Sequence, residues 1–151
     1  MTDAPAGRVR GATIVQTGGR AKAYRPLPFA DRQRAFAAAV EAYERGDYFE
    51  AHELLEPAWM GSDDLAERDL DQGLIKLAAA YVHGVRGNPR GVERNLVGAR
   101  ERLAAAIGTP AETVSGLDVG ALVASVDDRL ASLAANPDDP TTAPALPWRS
   151  K

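Results

Sequence analysis

From about residue 31 to residue 135, apolar side chains recur every three or four positions, and short clusters of glycine, proline, asparagine and aspartate interrupt the rhythm. This spacing collects side chains on one face of a helix, so it predicts a chain of amphipathic helices joined by short turns. Phe36, Ala39, Val40 and Tyr43 mark a first helix over about 31–45. Gly46-Asp47 ends it, because glycine tolerates left-handed backbone and aspartate can accept the free amide hydrogens of the next helix. That second helix is expected from Tyr48 to Trp59. Inside it, Pro57 has no N–H for the Glu53 carbonyl, which predicts a kink or a tightened last turn.

Beyond a turn at Gly61 to Asp64, the stripe Leu70, Leu74, Leu77, Ala78 and Tyr81 predicts a long helix over about 65–86. Gly87-Asn88-Pro89 then supplies a terminator, an N-cap and a first-turn proline. A fourth helix, about 89–106, turns Val92, Leu96, Ala99, Leu103 and Ala106 to one side, and its Gly91 and Gly98 allow a close helix crossing. Gly108-Thr109-Pro110 breaks the pattern, leaving room for one short turn before Gly116. Asp118 then caps a fifth helix, about 118–135, with the stripe Val119, Leu122, Val123, Val126, Leu130 and Leu133.

Five helices with short connections predict an all-α fold, a compact antiparallel bundle of about five main helices. The 151 residues suit one hydrophobic core, and the absence of cysteine leaves packing or assembly to stabilise it. The expected division is an extended or partly disordered arm over 1–29, a helical domain over 30–135 and a disordered tail over 136–151. In the arm, Ala12 to Gln16 is a short extended segment at most, and Tyr24-Arg25-Pro26-Leu27-Pro28-Phe29 reads as a strap laid on the body. In the tail, Asp-Asp-Pro-Thr-Thr-Ala-Pro offers nothing that buries well. No strand pattern supports a sheet.

The net charge of −3 gives no bulk attraction for nucleic acid or anionic lipid. Arg8, Arg10, Arg20, Lys22, Arg25, Arg32 and Arg34 cluster near the front, as a solvated basic stretch. There is no apolar run of secretory type near Met1 and none of membrane-spanning length, so a cytoplasmic location is expected.

Chemistry-bearing residues concentrate in Tyr48–Trp59. His52 and Glu56 are four apart on one face, with Phe49 and Trp59 three positions to either side and Glu53 on the adjoining surface. An imidazole titrates near neutrality and a carboxylate can fix its tautomer, so His52 with Glu53 and Glu56 is a candidate proton-transfer group. Along the third helix, Gln72, Lys76, Ala79, His83 and Arg86 share a second stripe. If that stripe faces the second helix, Glu56 pairs with Lys76. His52, Glu56 and His83 then form a candidate divalent-metal set, with Asp71 or Glu53 as a fourth ligand. Trp59, Gln72, Lys76, His83 and Arg86 are candidate ligand-binding residues, and Asn88, Asn95 and Arg100 flank helix amides that attract anions. The serines lack a nucleophile elbow, and His-Glu-Leu-Leu-Glu is not the metalloprotease motif.

Tyr48-Phe49-Glu50-Ala51-His52-Glu53, followed by Leu55-Glu56 and Trp59, resembles the signature of DUF309, a family without an assigned function. The resemblance continues through Gln72-Gly73-Leu74-Ile75, the alanine-rich segment to Tyr81 and His83, and Arg86-Gly87-Asn88. It covers about residues 31–106, and Pro57 departs from it. The resemblance implies an all-helical cytoplasmic domain of prokaryotic type, and His52, Glu53, Glu56 and Trp59 carry over as signature positions only. Ala35 to Glu56 is also similar to one helix pair of a tetratricopeptide repeat, without a second copy.

Three function classes follow. The first is a protein-interaction or self-associating module, whose partner is another protein or a second copy. The second is a small metal-assisted hydrolase built on His52, Glu56 and His83. The third is an anion- or small-ligand-binding domain. Each predicts a different surface: an exposed apolar patch, a metal-ligand cluster, or a cavity without a poised nucleophile.

Overall fold

A computed structural model describes residues 13–15 and 21–149. The helices are α1 (Phe29–Glu44), α2 (Tyr48–Gly61), α3 (Leu65–Val85), α4 (Pro89–Ala106), α5 (Pro110–Ser115) and α6 (Val119–Ala135). Ahead of them, β1 (Thr13–Val15) and β2 (Ala21–Ala23) pair antiparallel, with Thr13 opposite Ala23. This short ribbon corrects the expectation of no sheet, because three-residue strands are too brief to show alternation. It leaves the architecture an all-α bundle. Among the described residues, no helix is long and apolar enough to cross a membrane.

The turns behave as their chemistry dictates. Asp47, Asp64, Asn88 and Asp118 accept hydrogen bonds from the amides of Glu50, Glu67, Gly91 and Ala121, each at 3.0–3.2 Å. Each cap satisfies an amide that the first helical turn leaves without a partner. Gly46 and Gly87 adopt φ of 86° and 68°, the left-handed geometry that lets α1 and α3 stop sharply. The second helix runs on past Pro57 to Gly61, two residues beyond the expected Trp59 end. The segment after Thr109 forms a six-residue helix where the sequence leaves room for one turn.

Consecutive helices from α1 to α4 pack pairwise, and α6 returns to α4. All of the predicted apolar stripe of α4 is buried, as are Val119, Leu122, Val123, Val126 and Leu133 of α6. The central element is α3, which touches α2, α4 and α5. Residues 68–75 of it are therefore buried all round, including Arg68, Asp69, Asp71 and Gln72. Gly73 meets Leu103 of α4, and Gly91 meets the His83 ring, so both glycines mark the tight α3–α4 crossing.

The segments flanking the bundle are straps. Tyr24 is buried, and Arg25 and Leu27 donate backbone hydrogen bonds to the carbonyls of Met60 and Gly61. Residues 136–149, whose composition predicts disorder, lie along the helices with Pro144 and Leu146 buried. The Tyr43 hydroxyl donates to the Pro144 carbonyl at 2.7 Å, and the Trp148 ring nitrogen donates to Glu44 at 2.8 Å. Two buried apolar side chains and a line of specific hydrogen bonds are signals that composition alone averages away.

Candidate functional site

The signature residues lie on α2 as the spacing requires, but they do not assemble as the metal reading requires. His52 is half-buried, stacks on Phe49 and meets the Glu53 carboxylate at 3.2 Å through Nδ1. His83 faces the same shallow depression, which Phe49, Ala79, Val82 and Arg86 complete. Both imidazole-bearing residues thus line one depression. Glu56 is not on that wall, and His83 is occupied with Asn88, 3.2 Å from its Nδ1, and with Gly91 beneath its ring. No group of three or more His, Asp or Glu among the described residues is arranged to hold a metal ion.

Lys76 does not pair with Glu56 either. Its stem lies against Gly98 of α4, which turns it toward the α3–α4 seam. Gln72 is buried in the core of the bundle. Trp59 covers the guanidinium of Arg68 at 5.0 Å, a cation–π contact. Arg86 is exposed at the end of α3, and Arg100 pairs with Asp127. Of the ligand-binding candidates, His83 and Arg86 border one depression, while Trp59, Gln72 and Lys76 lie elsewhere.

A different site is assembled at the first turns of α3. Asp64 caps the helix, and the next turn sends Glu67 toward α1, where Arg32 binds it at 2.6 and 3.3 Å while also donating to the Leu27 carbonyl. One position on, Arg68 points the other way, is fully buried and donates to the carbonyls of Trp59 and Ser62. Burial lowers its pKa, opposed by the charges of Asp71, Tyr24 and Asp69. Asp69 pairs with Arg102 of α4. The remaining acid of this turn is Asp71.

Asp71 is only 3% exposed, and its carboxyl makes no hydrogen bond or ion pair among the described residues. It lines a cavity of about 280 Å³ walled by α1, the start of α3 and α5. No fully buried side-chain oxygen or nitrogen lacks a partner among the described residues, so this unpaired carboxyl reaches the cavity rather than being sealed in the core. Burial pushes its pKa well above the ordinary carboxylate range, the negative charge of Glu67 adds to the rise, and Arg32 and Arg68 oppose it. The carboxyl thus keeps its proton where surface acids have lost theirs. Phe29, Phe36, Leu70, Pro110, Ala111 and Val114 form the apolar part of the wall, and Arg32, Gln33, Asp63, Asp64, Glu67 and Ser115 the polar part.

Sequence reasoning met Asp71 only as a spare metal ligand, and met Arg32 only as part of a basic stretch. The available signal was the cluster of Arg68, Asp69 and Asp71 inside the stretch that carries the leucine stripe. Charged groups crowded among core positions must either pair or serve a site.

Residues 36–95 match DUF309, a domain of unknown function, which upholds the resemblance read from Tyr48–Trp59 and Gln72–Asn88. Comparison with curated proteins and with solved structures produced no match. The matched span supplies Phe36, Asp63, Asp64, Glu67, Leu70 and Asp71 to the cavity. The remaining wall, including Phe29, Arg32 and α5, lies outside it.

Proposed function

We propose that this chain, which carries a DUF309 domain over residues 36–95, is a small-ligand-binding module whose site is the cavity between α1, α3 and α5. The observation that carries the reading is Asp71. An unpaired carboxyl, almost wholly removed from water, costs stability unless something recovers its hydrogen bonding. A cavity that sets an apolar wall of Phe29, Phe36, Leu70, Pro110, Ala111 and Val114 beside polar groups that can fix a ligand's orientation has the usual form of a small-molecule site. Of the three function classes, this is the third, although its residues are not the cations of α3 and α4 to which the sequence points.

The test is methyl-detected NMR of the full chain, following Leu70, Ala111 and Val114 during a screen of small molecules. Compounds that bind should shift these three methyls in the native chain and lose the effect in Ala111→Trp, whose ring fills the cavity. Shifts confined to the surface around Phe49 and Val85 would overturn the reading.

That surface supports a second reading, association with a protein partner or a second copy. Phe49 is 58% exposed and Val85 78% exposed, where α2 and α3 border shallow depressions. Large apolar groups left in water at one place are a feature of interaction surfaces. If the chain self-associates there, light scattering should show a concentration-dependent rise in mass that Val85→Asp abolishes; a mass that never rises removes this reading.

A further inference from the structure

The cavity's charge and the commitments of its side chains narrow what it can hold. Its ionisable wall residues are Arg32, Asp63, Asp64, Glu67 and Asp71, so acids outnumber bases. The one base among the described wall residues is spent, since Arg32 gives two hydrogen bonds to Glu67 and one to the Leu27 carbonyl. Asp64 is held by the Glu67 amide, and the Ser115 hydroxyl donates to the Glu112 carbonyl while accepting from the Leu117 amide. Among the described residues, a ligand anion would find no uncommitted cation in the wall and would face several carboxylates. A ligand cation would find Asp71 unpaired.

We infer that the cavity takes an organic cation, a primary or secondary amine carrying an apolar group, with its ammonium against Asp71 and its body against Phe36, Leu70 and Val114. This rests on the ligand-binding reading of the same cavity. A bare metal ion would leave that apolar wall without contact, whereas an amine with a hydrocarbon body satisfies both halves of the site. An ammonium supplies the opposite charge and the donors that the buried carboxylate lacks.

Binding must then expel a proton. The groups facing Asp71 are Arg32 from α1, Asp63 and Asp64 from the turn before α3, and Glu67 and Arg68 from α3 itself. From α4, Arg102 is tied to Asp69, and from α5, Glu112 is tied to backbone amides and Arg149. Among the described residues none of these offers the carboxyl a hydrogen bond, and burial together with the charge of Glu67 favours its protonated form. When the amine enters already protonated, the carboxyl oxygen's proton leaves to solvent and an ammonium–carboxylate pair forms. Affinity for the amine should therefore rise with pH, by about tenfold per unit, until Asp71 is ionised in the free chain.

The experiment is titration calorimetry of the full chain with benzylamine, benzyl alcohol and benzoate, three probes with one ring and different heads, over about pH 5 to 8. Methyl spectra of Leu70, Ala111 and Val114 report whether each probe is in the cavity. The expected order is benzylamine first, with a heat that depends on the buffer's ionisation enthalpy because a proton is released. Asp71→Asn should weaken benzylamine at least about tenfold and leave benzyl alcohol nearly unchanged, while Asp71→Glu should restore part of the preference. If benzoate or benzyl alcohol shifts the cavity methyls and benzylamine binds no better, the cation inference fails and the cavity reading stands. The cation inference fails in the same way if benzylamine binds without releasing a proton and ignores Asp71→Asn. If none of the three shifts those methyls at millimolar concentration, both fall.

Discussion

Asp71 is the residue at which fold and function pull apart, and its titration gives the sign of a stability test. Its folded pKa is raised above that of an unfolded aspartate, so the folded chain binds the extra proton between the two values. The stabilisation from that proton is complete below the unfolded pKa, declines as pH rises across the window, and is gone above the folded pKa. Asp71→Asn keeps the shape and removes the titration. The variant should melt higher than the native chain at pH above the window, and the advantage should shrink toward nothing as pH falls to the ordinary carboxylate range. Each tenfold elevation of the proton affinity is worth about 1.4 kcal/mol. Melting curves across pH check it, and parallel curves for the two proteins would show that the carboxyl is not perturbed. From the sequence the residue reads as no more than a spare metal ligand, because a position next to Leu70 on an amphipathic helix reads as the start of its polar face. Only a helix enclosed on several sides makes that position interior, and enclosure is a property of α2, α4 and α5 together.

At the scale of elements, the helices were legible because they are specified locally. Three of the four aspartate or asparagine caps, at Asp47, Asn88 and Asp118, are readable from the residues that flank the apolar runs, and the buried stripes of α4 and α6 follow from spacing alone. Which polar faces meet is not local, and so the expected Glu56–Lys76 pair and the His52, Glu56 and His83 cluster did not form. Small residues decided the seam instead. A Cβ on Gly73 would stand 2.7 Å from the Leu103 side chain and 3.1 Å from its backbone nitrogen, so α3 and α4 would have to separate. Gly73→Ala should therefore destabilise the chain by about 1–3 kcal/mol, as overpacking does. Gly98→Ala meets the Lys76 stem at 2.8 Å, a chain that can swing aside, and gains up to about 1 kcal/mol of helix propensity. It should be near neutral or mildly stabilising. Paired denaturant titrations separate the two, and equal losses would mean that the seam is set by something other than backbone approach.

Over the whole molecule, the helices are tied together by the strap of residues 136–149, and its anchorage extends to the cavity. Asp118 donates its amide to the Pro147 carbonyl, Arg149 donates to the Gly116 carbonyl, and the Arg149 side chain binds Glu112 at 2.9 Å. Glu112 belongs to α5, whose neighbouring residues Ala111, Val114 and Ser115 line the site. Burial tends to raise the Glu112 pKa, but amide hydrogen bonds from Gly108 and Val119 and the Arg149 pair outweigh it, so the net direction is downward. A lowered folded pKa contributes stability that is present above the unfolded pKa and lost as pH falls through the folded one. Glu112→Gln should therefore flatten part of the acid limb of the stability profile, the reverse of what Asp71→Asn does. Removing residues 137–151 tests the strap itself. It strips the cover from the core, leaves the buried Tyr43 hydroxyl without its acceptor and takes Arg149 from Glu112. Leu146→Ala alone should cost about 2–4 kcal/mol as a buried large-to-small change, and Tyr43→Phe about 1 kcal/mol. At about 2–4 °C per kcal/mol for a chain of this size, the truncation should lower the melting temperature by at least as much as Leu146→Ala does. It should also broaden the methyl signals of Ala111 and Val114, because α5 loses its outer brace. A truncated chain that melts with the native one and keeps those signals sharp would show that the strap rests on the bundle without supporting it.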